Sequence, residues 1–155
     1  VFIMNNYLKS KTRLSFIQII FQHLSTKDDV NEILNVFDKN YKSTFVDNFN
    51  YKSKIKFEFN STFLKKLVDF YIKYIATENY LNSINKHIAF NRKFEKWDMI
   101  NQSILLAVLS EIKQTEASKI KIIFNDYLNI SKLFIDQSNL STVNAIVDKI
   151  INEKK

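Results

Sequence analysis

In 155 residues there is neither a glycine nor a proline. Tight β-hairpins lean on glycine at positive φ, and phosphate-cradling loops need its small size. A chain without either residue must make its connections from Asn, Asp and Ser, which favours helices joined by polar turns. The content is 46% apolar and 14% aromatic. A chain of this length buries about two-thirds of its unfolded surface, so one folded domain over residues 1–155 is expected.

Hydrophobic spacing supports the same class. Residues 100–112, INQSILLAVLSEI, carry Ile104, Leu105, Ala107, Val108, Leu109 and Ile112 around most of a helix. A helix apolar on nearly all sides is normally buried, so this one is predicted to be the centre, with Glu111 as a partly buried structural acid bonded to a neighbouring helix terminus. Residues 119–134 and 139–150 carry narrower stripes: Ile120, Ile123, Tyr127, Ile130 and Phe134, then Leu140, Val143, Val147 and Ile150. Spacings of three and four are helical. Asn125 and Asn144 on these segments are expected to make packing hydrogen bonds.

Upstream, residues 9–24 predict a first helix on the stripe Leu14, Ile17, Phe21 and Leu24. Residues 26–41 predict a second, capped by Ser25 or Thr26 with Asp28 and Asp29 in its first turn. Residues 42–56 show no period and read as a long connection whose Lys42, Lys52, Lys54 and Lys56 form a second basic stretch. One long helix over 58–88, capped within 60–62 and bent near Thr77, fits the following stripe. A short turn over 91–98 should tuck Trp97 against the central helix. The expected division is an N-terminal helical part, about 9–88, on a C-terminal part, about 94–152.

Several functions find no support. His23 and His87 sit in different segments without a recognisable acid motif, and no His/Asp/Glu cluster has metal-ligand spacing. There is no cysteine. No enzyme activity, metal or cofactor is expected. Residues 1–4 are too short for a signal-peptide core and no apolar run spans a bilayer, so a cytoplasmic protein is expected. The net charge of +7 suits an anionic partner, nucleic acid first. No acid precedes Asp28, while Lys9, Lys11 and Arg13 cluster where the first helix opens. Cations gain nothing from the dipole at a helix start, so an RNA phosphate is the expected reason for them.

The order of the C-terminal motifs resembles the NusB family: Leu109–Glu111 ending the central helix, Phe124-Asn125-Asp126, then Ser131 to Phe134, then Val143-Asn144 running to Asp148-Lys149. The first helix is similar more loosely, through Thr12-Arg13, Gln18 and Ile20-Phe21. The resemblance implies an all-α, NusB-like bundle of about seven helices, an N-terminal three-helix part packed on a part built around a central buried helix. It further implies a transcription antitermination factor that binds box A-type single-stranded RNA together with the ribosomal protein NusE. Such a factor would act within the transcription elongation complex on ribosomal RNA operons, as a monomer or homodimer. Residue by residue, the family's RNA site falls on Lys9, Lys11, Arg13, Ser138, Asn139 and Thr142, and its NusE surface on Phe21, Glu95 and Asn101. Ser138 stands where an acid is common, and Thr142 where an aromatic is. A helical protein-interaction module without RNA binding is the alternative.

Overall fold

The computed structural model describes residues 4–42, 45–47, 54–56, 58–89 and 92–153, with the backbone alone for 45–47 and 54–56. Seven α-helices are found among them: α1 (Asn6–Thr26), α2 (Val30–Asn40), α3 (Ser61–Ile75), α4 (Tyr80–Asn85), α5 (Met99–Lys113), α6 (Ala117–Ser131) and α7 (Gln137–Glu153). The class is all-α, as expected. A short antiparallel ribbon, β1 (Phe45–Asp47) on β2 (Lys54–Lys56), stands in the segment expected to be irregular, with Val46 opposite Ile55. Lys52 and the side chains of Lys54 and Lys56 in the second basic stretch lie outside the described residues.

α5 is sunk as its apolar girth requires. Leu105, Ala107 and Val108 are completely buried, and Glu111 is buried with them, its carboxylate held by the Arg13 and Tyr127 side chains and not by the expected helix terminus. α1, α3, α6 and α7 all pack on it. α1 is sunk almost as deeply, contrary to the one-sided stripe expected. Phe16, Ile19 and Ile20 are buried beside Leu14 and Ile17, while Phe21 and Leu24 are only half-buried. α1 lies against α2, α3, α5 and α6, so it needs apolar residues on several sides. The core thus has two buried helices, and it draws residues from both halves of the chain.

The helix ends show how a glycine-free chain turns. α1 stops at Lys27, which takes a left-handed φ of 65° and donates its N–H to His23 O. α2 then starts four residues later than expected, because Asp29 and not Ser25 or Thr26 is its cap, accepting from Glu32 N at 3.2 Å. The long helix expected over 58–88 is two. α3 is capped by Asn60, which accepts from Phe63 N at 2.8 Å, and it ends before Thr77. Asn79, at φ 61°, turns the chain into α4. Asparagine tolerates that region better than most residues, and the turn brings Tyr80 against Tyr74, ring centroids 5.6 Å apart. The apolar period runs on across the break, which is why it reads as one helix.

A single turn of 3-10 helix, Phe94–Lys96, leads into α5, and Trp97 packs edge-on to Phe94 at 5.4 Å. Asn125 is exposed on α6 and faces solvent instead of packing.

Leu105→Ala should lower the unfolding free energy by about 2–5 kcal/mol, as for other large-to-small changes in a core. Chemical denaturation followed by circular dichroism measures it. A loss within about 0.5 kcal/mol is surface behaviour and would remove α5 from the centre.

Candidate nucleic-acid interface

α1 opens with Asn5 as cap, its side chain accepting from Leu8 N at 2.8 Å. Lys9 and Lys11 follow within the first two turns and are half-buried. Arg13, one turn deeper, is 7% exposed. Its Nε and Nη2 donate to the two oxygens of Glu111 at 2.9 and 2.8 Å, and Nη1 donates to Asp126 Oδ2 at 2.6 Å. Tyr127 OH donates to Glu111 Oε1 at 2.6 Å, and Ser10 Oγ to Asp126 Oδ1 at 2.5 Å. The guanidinium also lies over the Phe63 and Tyr127 rings, at 5.5 and 5.7 Å. Burial alone would push the Arg13 pKa down. The hydrogen bonds and charge of Glu111, with Tyr127 and Asp126 behind them, outweigh it and hold arginine above its ordinary value. Burial, then the Glu111 charge, pushes the Tyr127 hydroxyl well up. Neither group exchanges protons in ordinary conditions.

Arg13 is therefore corrected from an RNA ligand to a core ion pair. Its donors are spent on carboxylates, and pulling it out would strand Glu111 in the interior. Its position near a helix start has a structural reason after all. Arg13→Ala should cost about 3–5 kcal/mol, the usual result of breaking a buried pair. Arg13→Lys should recover only part, since a point cation cannot reproduce the two-pronged contact. Melting curves of the two variants check this, and a change of less than about 0.5 kcal/mol in both would contradict the assignment.

The other predicted residues fall into two places. A cleft of about 330 Å³ lies between the start of α5 and the start of α7, lined by Arg92, Trp97, Asp98, Asn101, Ser138, Asn139, Thr142 and Val143. It brings Ser138, Asn139 and Thr142, read as RNA residues, together with Asn101, read as a partner residue. α5 and α7 run side by side in the same direction: a second cleft joins Leu109, Ile112 and Lys113 to Ile150 and Glu153 at their far ends. Lys9 and Lys11 are not among the walls of the first cleft.

Within that cleft the polarity is mixed. Asp136 caps α7, accepting from Asn139 N at 2.9 Å, so an acid still stands beside Ser138. Thr142 Oγ1 bonds Ser138 O at 3.1 Å. Asn101 is 7% exposed, and its side-chain oxygen is buried without a protein partner among the described residues. That corrects its placement on an open surface: it forms part of the cleft floor. Glu95 is exposed, its carboxylate accepting from Asn85 Nδ2 at 2.6 Å. Gln102 Nε2 donates to Trp97 O at 2.9 Å and fixes the strand of chain between Glu95 and α5. Phe21 is half-buried on α1.

Sequence reasoning missed Arg92 and the role of Trp97 as a cleft wall. The signal for both was the short run Arg92-Lys93-Phe94-Glu95-Lys96-Trp97, which holds three cations and two aromatics in six residues. It also missed the acid partner of His87, whose Nε2 lies 2.8 Å from Glu153 Oε2, 66 positions on. Among the described residues no group of three or more His, Cys, Asp or Glu is placed to hold a metal ion, and no helix is long and apolar enough to cross a membrane.

Two sunken helices, a basic helix start and a polar cleft between parallel helices place the chain among the all-α helical bundles. Comparison with known proteins defines it further: the NusB family model matches residues 10–152. The chain belongs to the NusB family, and the curated relatives it matches are transcription antitermination proteins. It is 26% identical over 148 residues, 95% of this chain and 92% of the other, to the transcription antitermination protein NusB of Rickettsia bellii (strain OSU 85-389). It is 28% identical over 112 residues, 70% of this chain and 77% of the other, to the NusB of Clostridium botulinum (strain Alaska E43 / Type E3). The fold is similar to a chain in a crystal structure of antitermination factors NusB and NusE in complex with double-stranded RNA. There the TM-score is 0.69 at 16% identity, covering 96% of this chain and 99% of that one.

Proposed function

We propose that the protein binds box A-type single-stranded RNA together with NusE and so supports elongation through ribosomal RNA operons in the cytoplasm. What supports this is the family match over residues 10–152 in a chain that has no acid before Asp28. The similar crystal structure holds NusB and NusE with double-stranded RNA, which supports RNA and NusE as partner classes, while the single-stranded form is what the family resemblance implies. With Arg13 withdrawn into the core, Lys9 and Lys11 supply the phosphate contacts. The α5–α7 cleft, where Arg92 and Asp98 offset each other, suits an unpaired base edge better than a phosphate. Sequence-specific RNA recognition mostly targets unpaired bases. Glu95 and Phe21 serve NusE.

Titration of a labelled box A RNA, with and without NusE, tests the whole. Lys9 and Lys11 changed together to Ala should weaken binding without altering the melting temperature. Each lost phosphate contact flattens the slope of log affinity against log salt by about 0.7 on a single strand, so the pair should flatten it by up to about 1.4. Parental affinity and slope in that variant would reduce the basic helix start to a solvated end, leaving a protein-interaction module.

The partner surface is tested at Glu95, because Asn101 is too buried for a clean charge change. Glu95→Lys should weaken NusE binding while stability stays within about 0.5 kcal/mol, as for exposed positions generally. Undiminished NusE binding would place that surface elsewhere.

A further inference from the structure

Asn101 lines the α5–α7 cleft and is more than nine-tenths buried, yet its amide oxygen has no partner among the described residues. An amide hidden from water without a hydrogen bond is costly, and most buried polar groups in proteins avoid that state. Asp98, three positions earlier, is a second acceptor on the same cleft wall. It occupies the N-cap position of α5, where a carboxylate ordinarily accepts from the first turn, but its side chain makes no capping hydrogen bond. Two acceptors at the start of one helix thus meet in the cleft, and neither is used to hold the helix.

The cleft also has a flat apolar side. Trp97 lines it, with its indole edge-on to Phe94 and its carbonyl tied to Gln102 Nε2. Arg92, exposed on the same cleft, supplies a donor. The matching occupant is planar and carries two neighbouring donors with an acceptor beside them. Guanine has that edge: N1–H and the N2 amino group donate, and O6 accepts. Adenine and cytosine offer a single amino group there, and uracil a single N–H between two acceptors. A guanidinium has paired donors too, but Arg92 repels it.

We propose that the α5–α7 cleft reads one unpaired guanine of a single-stranded RNA. Asp98 accepts from N1–H and Asn101 from the N2 amino group, Arg92 donates to O6, and Trp97 is the wall against which the base lies. The terminal torsion of an asparagine is broad and roughly two-fold, so the Asn101 oxygen can swing from the interior to the opening when a donor arrives. This site rests on the RNA-binding function proposed above and adds the base that it selects.

The test titrates the full-length protein with a short labelled oligouridine carrying one central guanosine. The same strand with adenosine, cytidine, inosine or uridine at that place is the comparison. Inosine keeps O6 and N1–H and lacks the N2 amino group. A good two-bond contact to a base edge discriminates by about 5- to 150-fold. The guanosine strand should bind more tightly than the adenosine, cytidine and uridine strands by that factor, with inosine between. Asn101→Leu, similar in shape and without the stranded amide, should keep the melting temperature and bind guanosine and inosine strands alike. Asp98→Asn should bring the guanosine strand close to the uridine strand. Asp98 is exposed, so this variant carries the test if Asn101→Leu does not fold. Both variants should bind the uridine strand as the parent does. Equal binding of all five strands by the parent overturns the proposal and leaves the RNA-binding function standing. A guanosine preference that survives in the variants overturns it as well. So does a preference kept while NusE binding falls, which would make the cleft a seat for a protein side chain. A parent that binds none of the strands removes the RNA-binding function and this site with it.

Discussion

The buried contact of Arg13 with Glu111 and Asp126 joins three helices that are far apart in the chain. Its members are separated by 98 and 113 positions, yet every polar atom named in it has a partner. Buried ion pairs seldom add much net stability over apolar residues of the same shape, but losing one member is severe. The cluster therefore acts less as glue than as a register mark. α1 can slide or rotate against α5 and α6 only by stranding a carboxylate in the interior. The position of everything on the first turns of α1 depends on it.

That dependence separates two kinds of cation which the sequence presents side by side. Lys9, Lys11 and Arg13 fall within five residues of α1, and about 100° per residue puts Lys9 and Arg13 on one side of the helix and Lys11 on the other. Arg13, one turn deeper than Lys9, is buried, while the two lysines nearer the helix start are half-buried. The buried arginine therefore fixes how the start of α1, with its two lysines, is presented.

Much of the fold was legible in the chain. The limits of α5 were off by a single residue at each end, because an all-round apolar helix has sharp polar boundaries. The stripes of α6 and α7 were equally plain. The burial of α1 was not, since Thr12 and Arg13 look like surface residues until their partners are known, and Ser15 is buried with no hydrogen-bond partner for its hydroxyl among the described residues. The break at Asn79 was masked by a period that happens to continue through it. At the site, Ser138, Asn139 and Thr142 were brought together in one cleft, and Asn101 joined them only because α5 and α7 run in the same direction. No local pattern encodes that.

The absence of glycine has a consequence on the unfolded side of the equilibrium. A glycine at a left-handed position is comfortable when folded, but it widens the range of shapes open to the denatured chain. Here Lys27 and Asn79 take those positions instead. A lysine held there sacrifices roughly 1 kcal/mol of backbone comfort, while the denatured ensemble stays narrower throughout, with every residue carrying a side chain. The chain trades local ease at its corners for a smaller loss of disorder on folding, and its helix ends are the places where that exchange is visible.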